Sequence, residues 1–439
     1  MKKLKFIPAL ALLGSILTGC SFEFNYNIAP YPGSLNGNLG YEDTGVEDEG
    51  TYNDLVIWCD ERIKSNIEGL MSRFIMNNPK YKINYTINTT GEDSAASSMI
   101  ENVKAGADIY IFAQDQLTRL KTAGALSMIT GKMKTAVTAE SQEEAIEAAT
   151  LNGKLYAFPF TSDNGYFMYY DKRIFPNEED VGSIENILSV LQAQNKKISY
   201  PVFTNGWYST SYFMATGCES NWEVNSKNEF IGYDDTYSSQ KGLIACRGLS
   251  ALKQYETLFS TKDVADMKDG DTRVVISGVW DYEVAKKTLG DDLGCTKMPT
   301  FTVNTAASGQ PEHLETINIS SYMGYKLVGV KPSSDEKRQS VCKKIARYIS
   351  NEDAQRERFL AVNWGPTNID AAADDDVLAH PGLSALLKQK PYAKPQVSTP
   401  DNWFSNVSAL ATGITAGMSD GEMMVKLNDY KNNLPSFLD

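Results

Sequence analysis

Histidine is nearly missing from this chain. Only two occur in 439 residues, His313 and His380. That inventory all but excludes a histidine-based metal centre or a Ser-His-Asp triad. Cysteine is scarce as well: beyond Cys20 there remain Cys59, Cys218, Cys246, Cys295 and Cys342. An odd number cannot all pair internally, and no Cys-x-x-Cys occurs, so most are expected as free, buried thiols, with one bridge left open. Basic residues are outnumbered, 42 Lys and Arg against 55 Asp and Glu, for a net charge of -13. Phosphate binding needs clustered cations, so nucleic acid is not an expected partner. The acidity speaks for solubility and selects no ligand. There is no internal repeat, no Gly-x-Gly-x-x-Gly, no P-loop and no Gly-x-Ser-x-Gly. Ala371 to Asp376 is acidic but lacks the spacing and distal Glu of a calcium loop, and reads as a solvated helix start. No metal and no cofactor are expected. Paired carboxylates for glycoside hydrolysis are not excluded by residue type, because carboxylates are abundant.

A long apolar run is absent except near the start. Met1 to Lys5 is basic and Phe6 to Leu17 is apolar, too short and too early for an ordinary spanning helix. Leu17-Thr18-Gly19-Cys20 then resembles a bacterial lipobox. This implies a lipoprotein signal peptide over 1–19 and a lipidated Cys20 that anchors a soluble body to the membrane. Ser21 to Tyr52 has no Lys or Arg and little to bury, so 20–52 is expected to be a flexible tether. The rest is too long for one core, and two lobes are expected.

Asp54 to Cys59 reads as a first strand, with Asp60-Glu61-Arg62 just past its carboxyl end. Helical spacing follows at Ile67, Leu70, Met71 and Phe74. Tyr81 to Ile87 alternates as a second strand, Ser94 to Ala105 reads as a helix, and Asp108 to Phe112 as a third strand ending near Asp115. This β-α-β-α-β order supports a parallel sheet, whose ligands bind outside strand carboxyl ends. Leu117 to Leu126 and Ala136 to Ala149 read as helices. Asn152-Gly153 is a tight turn. Leu155 to Phe160 and Phe167 to Tyr170 read as buried strands flanking a polar break, and Pro159 suits a strand end. Asn205 to Tyr212 reads as a polar-aromatic loop. Arg273 to Ser277 is a buried strand, followed by Gly278 and then Trp280. Glu336 to Ser350 is amphipathic, with Val341, Ile345 and Ile349 inward.

Asn152 to Phe160, continued by Tyr169-Tyr170-Asp171-Lys172, resembles the first lobe crossover of bacterial extracellular solute-binding proteins of the maltose-binding type. The similarity extends over about residues 53 to 430. It implies an α/β, two-lobed, periplasmic-binding-protein-like (type II) fold with a ligand cleft between lobes. One lobe would take 53–160 and 320–372, the other 161–319 and 373–439. Crossings are expected near Phe160-Thr161, Asn318-Ser321 and Asp370-Asp376. The resemblance implies Asp60, Glu61, Arg62 and Asp115 as hydroxyl-binding residues. It implies Trp207, Tyr208, Trp280 and Trp403 as ring-stacking residues, with Phe404 second to Trp403. The implied function is a non-enzymatic receptor of an ABC importer at the extracytoplasmic membrane face. It would act as a monomer, capture a sugar or oligosaccharide and deliver it to the permease. A polyamine or other small solute on the same fold, or a surface lipoprotein enzyme or adhesin, are the alternatives.

Overall fold

The structure, a computed structural model, describes residues 42–92, 94–225, 227, 229–400 and 402–438. Two five-stranded sheets organise it. In chain order the strands are β1 (Gly50–Cys59), β2 (Tyr81–Thr89), β3 (Ile109–Ala113), β4 (Ala157–Thr161), β5 (Phe167–Asp171), β6 (Lys197–Ser199), β7 (Phe259–Ser260), β8 (Thr272–Ser277), β9 (Leu293–Thr296) and β10 (Lys326–Val330). One sheet runs β2-β1-β3-β10-β4 and the other β7-β6-β8-β5-β9. In the first, β1 is parallel to β2 and β3, and β10 runs antiparallel to both β3 and β4. In the second, β5 is antiparallel to β8 and β9. Every residue of β3, β4, β5, β8 and β10 is buried, as strands covered on both faces must be. Separate cores result. One gathers residues between Tyr52 and Phe160 and again between Leu327 and Trp364. The other is built from residues between Tyr166 and Tyr322, closed by the C-terminal helices.

Local chemistry explains the pivot stretch. Asn152 and Gly153 both take positive φ, 51° and 71°, the turn geometry that Asn-Gly favours. They close a two-stranded ladder between Thr150–Leu151 and Lys154–Leu155. Pro159 sits inside β4, not at its end, and is tolerated because β4 is the sheet's edge. The chain passes between the two cores three times: between Phe160 and Tyr166, between Tyr322 and Tyr325, and between Trp364 and Ala385. These crossings are laced together at the hinge. The Ser162 N–H donates to the Gly365 carbonyl at 2.8 Å and its Oγ to that of Pro366 at 2.9 Å. The Asn164 N–H reaches the Gly324 carbonyl at 3.2 Å.

Two further expectations need correction. The stretch after Asn205 is a helix, Gly206–Ala215, capped by the Asn205 side chain. Gly206 lets its backbone meet that of Phe404, where a Cβ would lie 1.9 Å from the Phe404 carbonyl oxygen. The tether is also shorter than 20–52, because residues 42–52 pack on the first lobe. Asp48 is 2% exposed. It pairs with Lys344 at 2.7 Å and accepts from Ser340 Oγ at 2.6 Å and Tyr81 Oη at 2.8 Å. Glu42 pairs with Arg347 at 3.0 Å. Lys344 and Arg347 lie on the buried face of helix Glu336–Ile349 beside Val341, Ile345 and Ile349. The acidic residues that read as solvated spacer are their counter-charges. The lipobox and Cys20 lie outside the described residues.

All five described cysteines are free thiols, four buried and Cys295 partly so. Burial pushes Cys59, Cys218, Cys295 and Cys342 up to about 12.

Candidate functional site

A cavity of about 690 Å³ opens between the lobes, within the range of small-ligand sites. The first lobe contributes Asp60, Arg62, Glu92, Asp115 and Gln116. The second contributes Asn205, Trp207, Trp280 and Phe404. The crossing supplies Asn164, and Gln396, Thr399 and Pro400 complete the wall. Asp60, Glu92 and Asp115 follow the carboxyl ends of β1, β2 and β3, so one rule of sheet geometry accounts for all three.

Asp60 caps the short turn Glu61–Ile63 and grips Arg62 in a two-pronged pair, with Nε–Oδ1 at 2.7 Å and Nη2–Oδ2 at 2.8 Å. Burial alone would raise the Asp60 carboxyl, but its bonds and charge contact with Arg62 hold it below the usual range. Arg62 thus presents its remaining donors in a fixed plane. Its guanidinium lies 5.3 Å from the Trp364 ring centroid.

Asp115 is different. Its Oδ2 accepts from the Gln116 amide, and Oδ1 is buried without a hydrogen-bond partner among the described residues. Burial pushes its carboxyl up to about 6. A raised carboxyl favours folding below the usual carboxylate range near 4, and that contribution is lost as pH rises through about 6. Asp115→Asn should therefore gain roughly 1–3 kcal/mol at pH 7.5 and little at pH 4. Thermal melts at both values check this, and a lower melting temperature at both would refute it.

The apolar side is a cluster of rings. Trp207, in the first turn of its helix, lies 4.7 Å from Tyr166 and 6.2 Å from Trp280 between centroids. It is near-parallel to Tyr322 at 6.0 Å. Its indole N–H donates to Gln396 Oε1 at 3.0 Å, which fixes the ring's plane. Trp280 stands at the end of β8 and folds back over Gly278, where a Cβ would come within 2.1 Å of the ring. Only glycine leaves that space.

Of the residues expected from sequence, Asp60, Arg62, Asp115, Trp207 and Trp280 come together in this cavity. Three do not line it. Glu61 points to solvent from its turn. Tyr208 stands behind Trp207, with its ring 4.9 Å from Tyr166 and 6.3 Å from Tyr200. Trp403 is 2% exposed and its Nε1 donates to Tyr430 Oη at 2.9 Å, so it belongs to the core. Its helix, Trp403–Gly413, turns the next residue, Phe404, to the cavity. Glu92 was readable from the strand-end rule that finds Asp60 and Asp115. Gln396 carries no periodic or motif signal. It is placed by the return segment Ala393–Pro395, which pairs with Ser321–Met323 at the hinge. Ser398 then donates to the Asp115 carbonyl.

No curated protein matches the chain. Solved structures do. One, described as with acarbose, is 25% identical with a TM-score of 0.72, covering 88% of this chain and 99% of the other. The maltodextrin binding protein MalE1 from L. casei BL23, without ligand, is 18% identical with a TM-score of 0.73, over 88% of this chain and 99% of the other. The extracellular solute-binding protein from Staphylococcus aureus in complex with maltose is 15% identical at 0.64, over 88% and 97%. The family model described as bacterial extracellular solute-binding protein matches residues 70–385. With that match across most of its length, this chain belongs to the bacterial extracellular solute-binding protein family.

Proposed function

We propose that this protein captures a sugar or oligosaccharide in the interlobe cavity and hands it to an ABC permease. The observation that carries the reading is the make-up of the cavity: Trp207, Trp280 and Phe404 on one lobe face Asp60, Arg62, Glu92 and Asp115 on the other. A sugar presents flat C–H faces and a rim of hydroxyls, and these two surfaces match the two halves of that wall. Because both lobes contribute, occupancy favours the state in which both touch the ligand. The solved relatives described with acarbose and with maltose support the class of ligand.

Maltotetraose added at a hundred times its dissociation constant should stabilise the native state by about 2.7 kcal/mol. The radius of gyration should shrink on binding, with no product released. No thermal shift with any sugar tested would defeat the carbohydrate reading. A second reading rests on charge: the three cavity carboxylates Asp60, Glu92 and Asp115 are met by Arg62, which Asp60 pairs, and by Lys326, 3.5 Å from Glu92, which leaves one carboxylate over. This surplus suits an amino-bearing sugar or a polyamine, and a shift with spermidine but not maltotetraose would select the latter.

Membrane attachment through Cys20 completes the proposal, on the strength of the Leu17-Thr18-Gly19-Cys20 sequence. Cys20→Ala should release the protein from membranes or block its processing. Unchanged retention and processing would remove the anchor.

A further inference from the structure

Lys326 occupies an unusual place. It opens β10 directly after the second crossing, and its backbone pairs with Ala113 on one side and Thr161 on the other. The side chain is 4% exposed. Its Nζ lies 3.4 Å from the Trp364 ring centroid, and the loop after Trp364 holds the first crossing at Ser162. One ammonium thus meets the second crossing, the neighbourhood of the first, and the loop that ties them.

Its carboxylate partners are held loosely. Glu92 Oε1, in the cavity wall, is 3.5 Å away. Asp163 Oδ1, in the first crossing, is 4.0 Å away. Both oxygens are buried with no hydrogen-bond partner among the described residues. The other cations nearby are bonded mainly elsewhere, although Arg62 Nη2 also comes within 4.0 Å of Glu92 Oε2. Arg62 is gripped by Asp60, and Arg358 donates to the Phe160 and Ile349 carbonyls. A buried carboxylate without a close donor is costly, and one ammonium cannot close on both at full strength. Lys326 therefore has two alternative carboxylate partners, with Glu92 the nearer in this arrangement.

We propose that Lys326 is a positioning residue that couples occupancy of the cavity to the hinge. A ligand hydroxyl or ammonium that takes over Glu92 releases Lys326 to Asp163, and this tightens the first crossing in the liganded arrangement. The inference rests on the capture reading for its ligand arm only.

The test uses three variants of the full chain. Glu92→Gln frees Lys326 for Asp163 and leaves one carboxylate for the one ammonium, so it should fold. Its unliganded small-angle scattering should move toward the compact, liganded profile of the wild type. Asp163→Asn and Lys326→Met should each weaken maltotetraose binding by about tenfold or more, and the double variant should be no weaker than either single one. If maltotetraose fails to bind the wild type, the sugar reading falls, and whether unliganded Glu92→Gln is more compact than the unliganded wild type alone decides this one. An unliganded Glu92→Gln profile identical to that of the wild type overturns the coupling. So do Asp163 and Lys326 effects on affinity that simply multiply.

Discussion

Trp280→Ala is expected to weaken ligand capture by about ten- to a thousandfold while lowering the melting temperature by only a few degrees. The ring lines the cavity and is half-buried already, leaning toward Trp207 and over Gly278. A ligand face laid on it removes apolar area from water on both sides. At about 25 cal/mol per Å², and with part of the ring covered, that amounts to roughly 2–4 kcal/mol, which sets the affinity range. The stability loss is small because the contacts given up are at the edge of the core. Affinity by calorimetry and melting temperature on the same variant decide the matter. Near-normal affinity with a large fall in melting temperature would make Trp280 a core residue and remove one stacking face from the site.

The second large effect is on stability. A chain beginning at Asn53 should melt roughly 6–20 °C below one beginning at Glu42. Removing residues 42–52 takes Asp48 and Asp43 from Lys344, whose side chain is 3% exposed. It also takes Glu42 from Arg347. Breaking a buried pair by deleting one partner costs about 3–5 kcal/mol, and each kcal/mol is worth about 2–4 °C in a cooperative unit of about 150–250 residues, the size of one lobe. Burial tends to raise the Asp48 carboxyl, but its bonds to Lys344, Ser340 and Tyr81 outweigh that and hold it below the usual value. Its stabilisation is therefore complete above a pH of about 4 and is lost as pH falls through the lowered value. The gap between the two chains should narrow only in acid. Equal melting temperatures at neutral pH would show that the segment adds nothing.

These two cases mark what the sequence discloses. Trp280 was legible because a β-branched run ends in Ser277-Gly278, which places the next ring at a strand end, where cavities lie. Asp115 was legible by the same rule. Trp403 and Phe404 were assigned in the wrong order because the helix opens after a proline and its phase depends on the Tyr430 contact, which is remote in sequence. The role of residues 42–52 was hidden for a similar reason. An acidic, lysine-free stretch has the composition of a solvated linker, and only the folded helix Glu336–Ile349 shows two buried cations in need of partners. Gln396 and Lys326 acquire their places from the packing of crossings. Nothing in the residues beside them encodes that.

The free thiols divide by lobe. Cys59 and Cys342 belong to the first core, Cys218 and Cys246 to the second, and Cys295 packs at the second lobe's other face. Cys59, Cys218, Cys246 and Cys342 are protonated and buried in the folded state, so a thiol reagent reaches each of these four only after its own lobe opens. The rate at which each of the four is labelled therefore times the opening of one core. Two cores joined by three narrow crossings need not unfold together. Mass-resolved labelling in mild denaturant would give two rates if they part company and a single shared rate if the hinge makes them one cooperative unit.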